Sequence, residues 1–234
     1  KLPKILVLVH LAGQSCDMQR FNALSVKYGF KIIEDASHAI GGKYLDAYVG
    51  CCEYSEITVF SFHPVKIITS AEGGMAMSNC PVLTEKMRSL RSHGITRDPL
   101  KMTSESHGDW FYQQQELGFN YRMTDLHAAL GLSQLSRLDG YVERRNQLSD
   151  VYHDGLSGLP LQLPAVHKDS LSSWHLYVVR LKLGEMRSSR KEVFDALRAA
   201  GIGVNVHYIP VHIHLEPVQP KLCFPPTVYR LKRV

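Results

Sequence analysis

The 234-residue sequence lacks two features: an apolar run long enough to cross a membrane, and a cluster of like charges. A membrane-spanning helix needs about 20 consecutive apolar residues, and the longest apolar stretch, Ile5 to Leu11, is interrupted by His10. The 27 basic and 22 acidic residues give a net charge of only +5, spread along the chain. These absences argue against a membrane protein and against a polybasic nucleic-acid-binding arm.

Cysteine is also scarce, with five residues and no paired spacing. An odd number without a CxxC pattern favours reduced thiols and a cytoplasmic location, and residues 1–9 lack the features of a signal peptide. Histidine is more frequent, and three of the twelve cluster at His207, His212 and His214. Without an HExxH helix or cysteine partners, this cluster favours an anion-binding pocket or a loop over a metal site, so no metal is predicted.

The remaining composition is that of a globular protein, with 44% hydrophobic and 21% charged residues. At about 150 residues per domain, the length predicts one domain and part of another. Gly, Pro and Ser cluster between Leu156 and Ser173. A partial large domain is therefore expected over residues 1–155, and a partial small C-terminal domain over residues 156–234.

A strand–helix–strand unit opens the chain. Lys4 to His10 is a continuous apolar run, typical of a parallel strand buried on both faces. Ser15 or Asp17 can cap the helix that follows, and Gly29 can end it. Phe30 to Ile33 is the next strand, so the order of elements predicts an α/β domain.

The rest of the chain continues the alternation of strands and helices and adds a small α+β lobe at the end. The region 110–120 is expected to be irregular, and a strand should follow the last helix. The other predicted elements are a strand at Glu56 to Phe62, a short antiparallel strand at Met75 to Ser78, a helix at Pro81 to His93, a long helix from Thr124 to about Tyr152 with a break at Gly140, a strand at Trp174 to Leu181, and a helix at Ser189 to Ala200 with a capping box formed with Glu192.

Two predicted strands end in residues that suggest a cofactor site. Asp35 directly follows the second strand, whereas Ser61 and Lys66 follow the strand at Glu56 to Phe62. Ligands of doubly wound sheets bind at the carboxyl ends of the strands. A lysine that forms a Schiff base with pyridoxal phosphate (PLP), and a carboxylate that keeps the pyridine nitrogen protonated, form such a pair. A lone lysine in a loop is usually a solvated surface residue, and a lone aspartate at a strand end is usually a helix cap or a turn former. The combination of the two, with the Ser61 hydroxyl available for a phosphate, is a more specific indication of a PLP site.

The sequence contains the four blocks IEDASHAIGG (33–42), VFSFHPVKIITSAEGGMAMSN (59–79), LGFNYRMTDLHAALGLSQLSRLD (117–139) and GIGVNVHYIPVH (201–212). These blocks resemble the DegT/StrS family of sugar-nucleotide aminotransferases. Three further stretches, VHLAGQSCDM (9–18), RSHGITRD (91–98) and SFHPVK (61–66), resemble the branch that acts in pseudaminic acid biosynthesis. The resemblance implies a fold type I PLP-dependent transferase (aspartate aminotransferase-like), in which a mostly parallel large-domain sheet is joined to a small α+β C-terminal lobe. It also implies that material is missing at both ends.

The resemblance implies a role for individual residues. Lys66 matches the lysine that carries the cofactor, and Asp35 matches the carboxylate on its pyridine nitrogen. His38 matches the position at the cofactor 3-hydroxyl, although it could be a core histidine. Ser61 matches a phosphate-binding hydroxyl. Asn120 matches the residue that reaches the cofactor phosphate of the other subunit, although it could merely form a turn. This match implies a homodimer with shared active sites.

The implied substrates are an amino-acid donor, expected to be L-glutamate, and a UDP-linked 4-keto-6-deoxy-N-acetyl sugar that receives the amino group at C4. Lys66 would also move the proton during the transfer. A related sugar dehydratase carries histidine at that position, so lysine favours aminotransfer over deoxygenation. Candidates for substrate contacts are Arg91, His93, Arg122, His207 and His212.

Three alternatives remain at this point. The acceptor could be another 4-keto sugar nucleotide. The chain could be an inactive family fragment that serves as a scaffold or regulatory partner. A nicotinamide-dependent oxidoreductase is more distant, because no GxGxxG motif follows a strand.

Overall fold

The structure is a computed structural model that describes residues 2–210. Among these residues no helix is both long and apolar enough to span a bilayer. Short 3-10 helices occur at Leu11–Gly13, Pro99–Lys101 and Leu183–Glu185. The helices and strands are β1 (Ile5–Val9), α1 (Met18–Tyr28), β2 (Lys31–Asp35), β3 (Lys43–Tyr44), β4 (Ala47–Tyr48), β5 (Ile57–Ser61), β6 (Gly74–Met77), α2 (Pro81–Arg91), β7 (Ile95–Thr96), β8 (Gln113–Gln114), α3 (Asp125–Leu135), α4 (Leu138–Leu156), β9 (Leu161–Gln162), β10 (Ser170–Leu171), β11 (Arg180–Leu181) and α5 (Arg190–Ala199).

The central sheet of the described residues has the order β1-β2-β5-β6. Strands β1, β2 and β5 are parallel, and β6 runs antiparallel to β5, as the sequence predicts. Val9, Asp35 and Val59 lie side by side in the register of the three parallel strands. The carboxyl ends of these strands therefore meet at one edge of the sheet.

Helix α1 covers one face of this sheet. The Asp17 side chain caps it by accepting a hydrogen bond from Arg20 N at 3.3 Å. Gly29 ends it in the left-handed conformation that favours glycine, and its N–H donates to Ser25 O. A core forms between helix and sheet because the apolar side chains of both face each other. Its buried members are Leu8, Met18, Phe30, Ile32 and Tyr44.

The opposite face of β1 is exposed, which corrects the prediction of a strand buried on both sides. Ile5 and Val7 are 54% and 55% exposed, and Val9 is 47% exposed. These three side chains alternate with the inward-facing ones, as the pleat of a strand requires. The prediction was wrong because no element of residues 2–210 covers them.

The long helix predicted from Thr124 breaks earlier than expected. The Thr124 side chain caps α3, and α3 ends before Ser136. Arg137 N donates to Gln134 O, a tightened turn that separates α3 from α4. Gly140, the predicted break, instead lies in the first turn of α4.

The strand predicted at Trp174 to Leu181 is also largely wrong, since only Arg180–Leu181 is a strand. The preceding segment bonds to loops and to a helix instead of to a sheet. Leu176 N donates to Ala12 O, and the Arg145 guanidinium donates to Trp174 O.

The chain divides into two compact units, of which the first ends at Arg180 and the second begins at Leu181. The domain boundary expected at 155/156 stays a prediction. In the second unit, α5 has the predicted capping box between Ser189 and Glu192. No strand follows α5 within the described residues up to Pro210.

Candidate active site

Asp35 and Ser61 lie at the carboxyl ends of neighbouring parallel strands and on the same face of the sheet. Asp35 pairs with Val59, and Ser61 is two residues beyond Val59, so the strand pleat turns all three side chains to one side. Asp35 Oδ1 accepts a hydrogen bond from Ser37 N at 3.1 Å, which orients the carboxylate in the loop after β2. Both side chains are half-buried.

Lys66 lies in a tight turn after β5, and its backbone N–H donates to His63 O at 3.0 Å. The next two residues, Ile67 and Ile68, are buried and pack against Leu138 and Val142 of α4. Two adjacent isoleucines therefore anchor the turn to a helix, so the position of the lysine does not depend on its own side chain.

Lys66 and Asp35 are close enough to interact electrostatically. Partial burial lowers the pKa of the Lys66 amine below that of a free lysine, and the negative charge of Asp35 offsets part of this effect. A lowered pKa increases the fraction of uncharged amine at neutral pH, which is the nucleophilic and basic form.

His38 lies in the loop after β2 and is held by two other loops. Ala12 N donates to His38 Nδ1 at 3.3 Å, and the Ser173 hydroxyl donates to His38 O at 3.1 Å. The His38 ring also lies 4.4 Å, centroid to centroid, from the ring of His175. His38 is thus part of a site built by residues distant in sequence.

His175 and Ser173 are members of this site that the sequence interpretation missed. Ser173 is fully buried, and its backbone N–H donates to Gly13 O at 3.0 Å. Gly13 has a φ of +110°, and a Cβ there would lie 2.6 Å from Trp174 N, so only glycine fits. The sequence pattern places His175 in a predicted strand and Ser173 in the linker before it, and the only available signal is a tryptophan–histidine pair after a region rich in Gly, Pro and Ser.

A second group of predicted residues lies at the end of α2. Phe119 N donates to Leu90 O, His93 N donates to Phe119 O, and Asn120 forms an isolated bridge with Ser92. The structure therefore brings Arg91, His93 and Asn120 together through the backbone. In residues 2–210, no hydrogen bond or ion pair joins these three residues to Lys66 or Asp35.

The remaining substrate candidates are Arg122, His207 and His212. Arg122 is exposed, and so is His207 in the second unit, where its ring lies against Tyr208. His212 lies outside the described residues. Within the described part of the chain, no group of three His, Cys, Asp or Glu side chains is arranged to hold a metal ion.

The chemistry of Asp35, Ser61 and Lys66 fits PLP. A carboxylate at a strand end suits a pyridine nitrogen, and an amine with a lowered pKa suits an aldehyde carbon. A hydroxyl at the adjacent strand end suits a phosphate. The arrangement is that of a PLP-dependent enzyme of the fold type I class.

Solved structures agree with this class. The protein Spr1654 from Streptococcus pneumoniae, described as a sugar aminotransferase, has been solved in PLP and PMP forms. The PLP form has a TM-score of 0.75 and is 30% identical, and the match spans 90% of this chain and 56% of the Spr1654 chain. The PMP form has a TM-score of 0.77 and is 32% identical. A second similar structure is PseC from Helicobacter pylori, an aminotransferase involved in the biosynthesis of pseudoaminic acid. It has a TM-score of 0.78 and is 30% identical, and the match spans 88% of this chain and 53% of the PseC chain. The predicted fold is thereby confirmed, and the PLP and PMP forms of Spr1654 agree with the predicted cofactor.

The chain belongs to the DegT/DnrJ/EryC1/StrS aminotransferase family, whose model matches residues 2–224. The UDP-4-amino-4,6-dideoxy-N-acetyl-beta-L-altrosamine transaminase of Campylobacter jejuni is 39% identical over 206 residues, which are 88% of this chain and 52% of the relative. The chain thus spans about half the length of the curated relatives that it matches.

Proposed function

We propose that this chain carries the PLP-binding part of a sugar-nucleotide aminotransferase. The amino group would pass from an amino acid, L-glutamate, to C4 of a UDP-linked 4-keto-6-deoxy-N-acetyl sugar, as in pseudaminic acid biosynthesis. The single observation that carries the proposal is the placement of Asp35 at the end of β2 and of Lys66 in the turn after the neighbouring strand β5, where the two interact and the lysine has a lowered pKa. The likeness to the Campylobacter transaminase supports the choice of sugar.

Four side chains would hold the cofactor. Lys66 would bind it covalently, Asp35 would accept a hydrogen bond from its protonated ring nitrogen, His38 would lie at its 3-hydroxyl and Ser61 would bind its phosphate. Bound PLP supplies an electron sink that makes the α-hydrogen of the amino acid acidic. The Lys66 amine, once the donor has displaced it, would remove that proton as a base. It would then act as an acid and deliver the proton to the C4′ carbon of the cofactor.

The proposal predicts that PLP is trapped on Lys66. Purified chain with added PLP should show a visible absorbance band, and borohydride reduction should place the cofactor mass on the peptide that contains Lys66. Lys43 is a matched control because it is also half-buried and lies in a short strand of the same unit. Lys43→Ala should therefore retain the label on Lys66. A label elsewhere, or none, would contradict the proposal.

Turnover with a panel of 4-keto sugar nucleotides and L-glutamate tests the substrates. Preference for another sugar would overturn the pseudaminic assignment and leave aminotransfer standing. Trapped cofactor without turnover on any sugar would favour the inactive family member that acts as a scaffold.

We further propose that a second copy of the chain completes the site through Asn120. This residue is exposed and lies between Phe119 and Tyr121, whose rings stack at 4.8 Å. Tyr121 is 72% exposed and Leu117 is 85% exposed. An exposed apolar patch of this kind is typical of a protein interface. Asn120 on one subunit could then reach the cofactor phosphate bound by its partner.

Mixing two inactive variants tests the shared site. A dimer of Lys66→Ala and Asn120→Ala subunits has one site with both residues intact, so an equal mixture should recover about a quarter of the wild-type turnover. Lys66→Ala mixed with Asp35→Ala is the control, because both residues belong to the same subunit's site and no intact site can form unless Asp35 acts across the interface. Equal recovery in both mixtures, or none in the first, would contradict a site shared through Asn120.

A further inference from the structure

A buried polar pair lies on the face of the sheet opposite to Asp35. His10 is fully buried, Glu34 is 5% exposed, and His10 Nε2 lies 2.6 Å from Glu34 Oε2. The other carboxylate oxygen accepts hydrogen bonds from the Thr58 hydroxyl at 2.8 Å and from the Ser55 hydroxyl. Burial by itself raises the pKa of Glu34, but the hydrogen bonds from His10, Ser55 and Thr58 outweigh it and the pKa is lowered. Glu34 is therefore a carboxylate with a donor on each oxygen, and the proposed reaction uses neither member of the pair.

The other nitrogen of His10 holds the chain beyond β1. Cys16 N donates to His10 Nδ1 at 3.1 Å. Burial lowers the pKa of His10, but the hydrogen bonds with Cys16 and Glu34 outweigh it and raise the pKa to about 9. In the neutral ring, Nδ1 accepts from the Cys16 amide and the proton is on Nε2, which faces Glu34. The two ring nitrogens thus contact different partners.

Between these two residues lies the turn Leu11–Gly13, which contacts the candidate cofactor site. The turn begins where Gly13 N donates to His10 O at 3.3 Å. Its central residue, Ala12, has a φ of +61°, a left-handed conformation that is costly for an alanine and needs support from its surroundings. From this position Ala12 N donates to His38 Nδ1.

We propose that His10 is a positioning residue for the cofactor site. Through Nδ1, His10 holds the amide of Cys16 and so keeps the turn Leu11–Gly13 in place. Ala12 N–H then holds His38 with Nδ1 as acceptor, and the neutral ring carries its proton on Nε2. The consequence for the cofactor 3-hydroxyl rests on the proposed function, whereas the chain of contacts from His10 to His38 does not.

Two substitutions of His10 separate its two hydrogen bonds. His10→Asn leaves an acceptor near the position of Nδ1 but is too short to reach Glu34. His10→Gln can still donate to Glu34 but places no acceptor at the Cys16 amide. The proposal attributes the position of the turn to the hydrogen bond between Cys16 N and His10 Nδ1. The glutamine variant should therefore disturb Ala12, and the asparagine variant should largely preserve the position of Ala12.

The measurement is amide hydrogen exchange of the cofactor-free chain, followed by NMR. Exchange protection of Ala12 should fall about fivefold in His10→Gln relative to that of Gly29, because a hydrogen bond contributes about 1 kcal/mol. Gly29 is the internal reference, since its amide bonds within α1 and reports general destabilisation. His10→Asn should stay within about threefold of wild type on the same scale. Ser55→Ala, which removes a donor from Glu34 without contacting His10, should leave the ratio unchanged.

A ¹⁵N spectrum of the imidazoles gives the second readout. In the wild-type chain at neutral pH, His38 should show an unprotonated Nδ1, and in His10→Gln it should show a mixture of tautomers. Equal loss of protection at Ala12 and Gly29, or no loss at Ala12, would overturn the positioning role. Because neither measurement uses PLP, failure of PLP trapping on Lys66 would count against the proposed function alone.

Discussion

Replacement of Lys66 by alanine is expected to reduce transamination by about 10²- to 10⁴-fold or more, since a positioned acid–base group contributes that much and the covalent attachment is lost as well. The fold should survive, because Ile67 and Ile68 anchor the turn to α4 independently of the lysine side chain. The rate is measured as glutamate-dependent amination of the 4-keto sugar nucleotide, with circular dichroism to confirm the fold.

Lys66→Arg distinguishes chemistry from charge. A guanidinium keeps the positive charge beside Asp35, but it stays protonated at neutral pH, so it supplies no free base and forms no imine with PLP. It should be as inactive as the alanine variant, whereas Lys43→Ala should retain wild-type turnover. Substantial activity in either Lys66 variant would remove the basis of the proposed function.

Substitution of Asp35 by asparagine should have the second largest effect. The carboxylate is proposed to stabilise a positive ring nitrogen, and removal of one partner of such a pair costs roughly 3–5 kcal/mol. That cost corresponds to a fall in kcat of about 10²- to 10⁴-fold. Borohydride should still trap PLP on Lys66 in this variant, because attachment does not require the protonated ring.

Glu53→Gln is a control with the same change in charge, since Glu53 is exposed. It should leave both trapping and turnover unchanged. The role given to Asp35 would be refuted if Asp35→Asn retained full turnover, or if it lost turnover only as much as Glu53→Gln.

The sequence is most informative where structure is set by local rules. The helix from Asp17 to Gly29 has a cap and a glycine stop, and α5 has its capping box, so both were predicted closely. The end of α3 has no such signal. It is set by the burial of Leu138 and Val142 against the turn that carries Lys66, a contact between distant parts of the chain.

The same distinction applies to the candidate site. Asp35, Ser61 and Lys66 follow strands that are recognisable by their apolar pattern, so their common location could be expected. His175 could not be found in this way, because Ser173 and the loop around Gly13 hold it beside His38, and nothing in the local sequence specifies that contact. The exposed face of β1 was likewise not predictable, since an apolar run alone does not show what covers each side.

Glu34 and Asp35 are neighbours in β2 and serve opposite faces of the sheet. A slip of β2 by one residue against β1 and β5 would exchange them. Asp35 would then point towards His10, and the longer Glu34 would point to the side of Lys66. Gain or loss of one residue within β2 is therefore expected to damage both the buried pair and the cofactor site at once. The length of this strand constrains the chemistry as strictly as the identity of either acid.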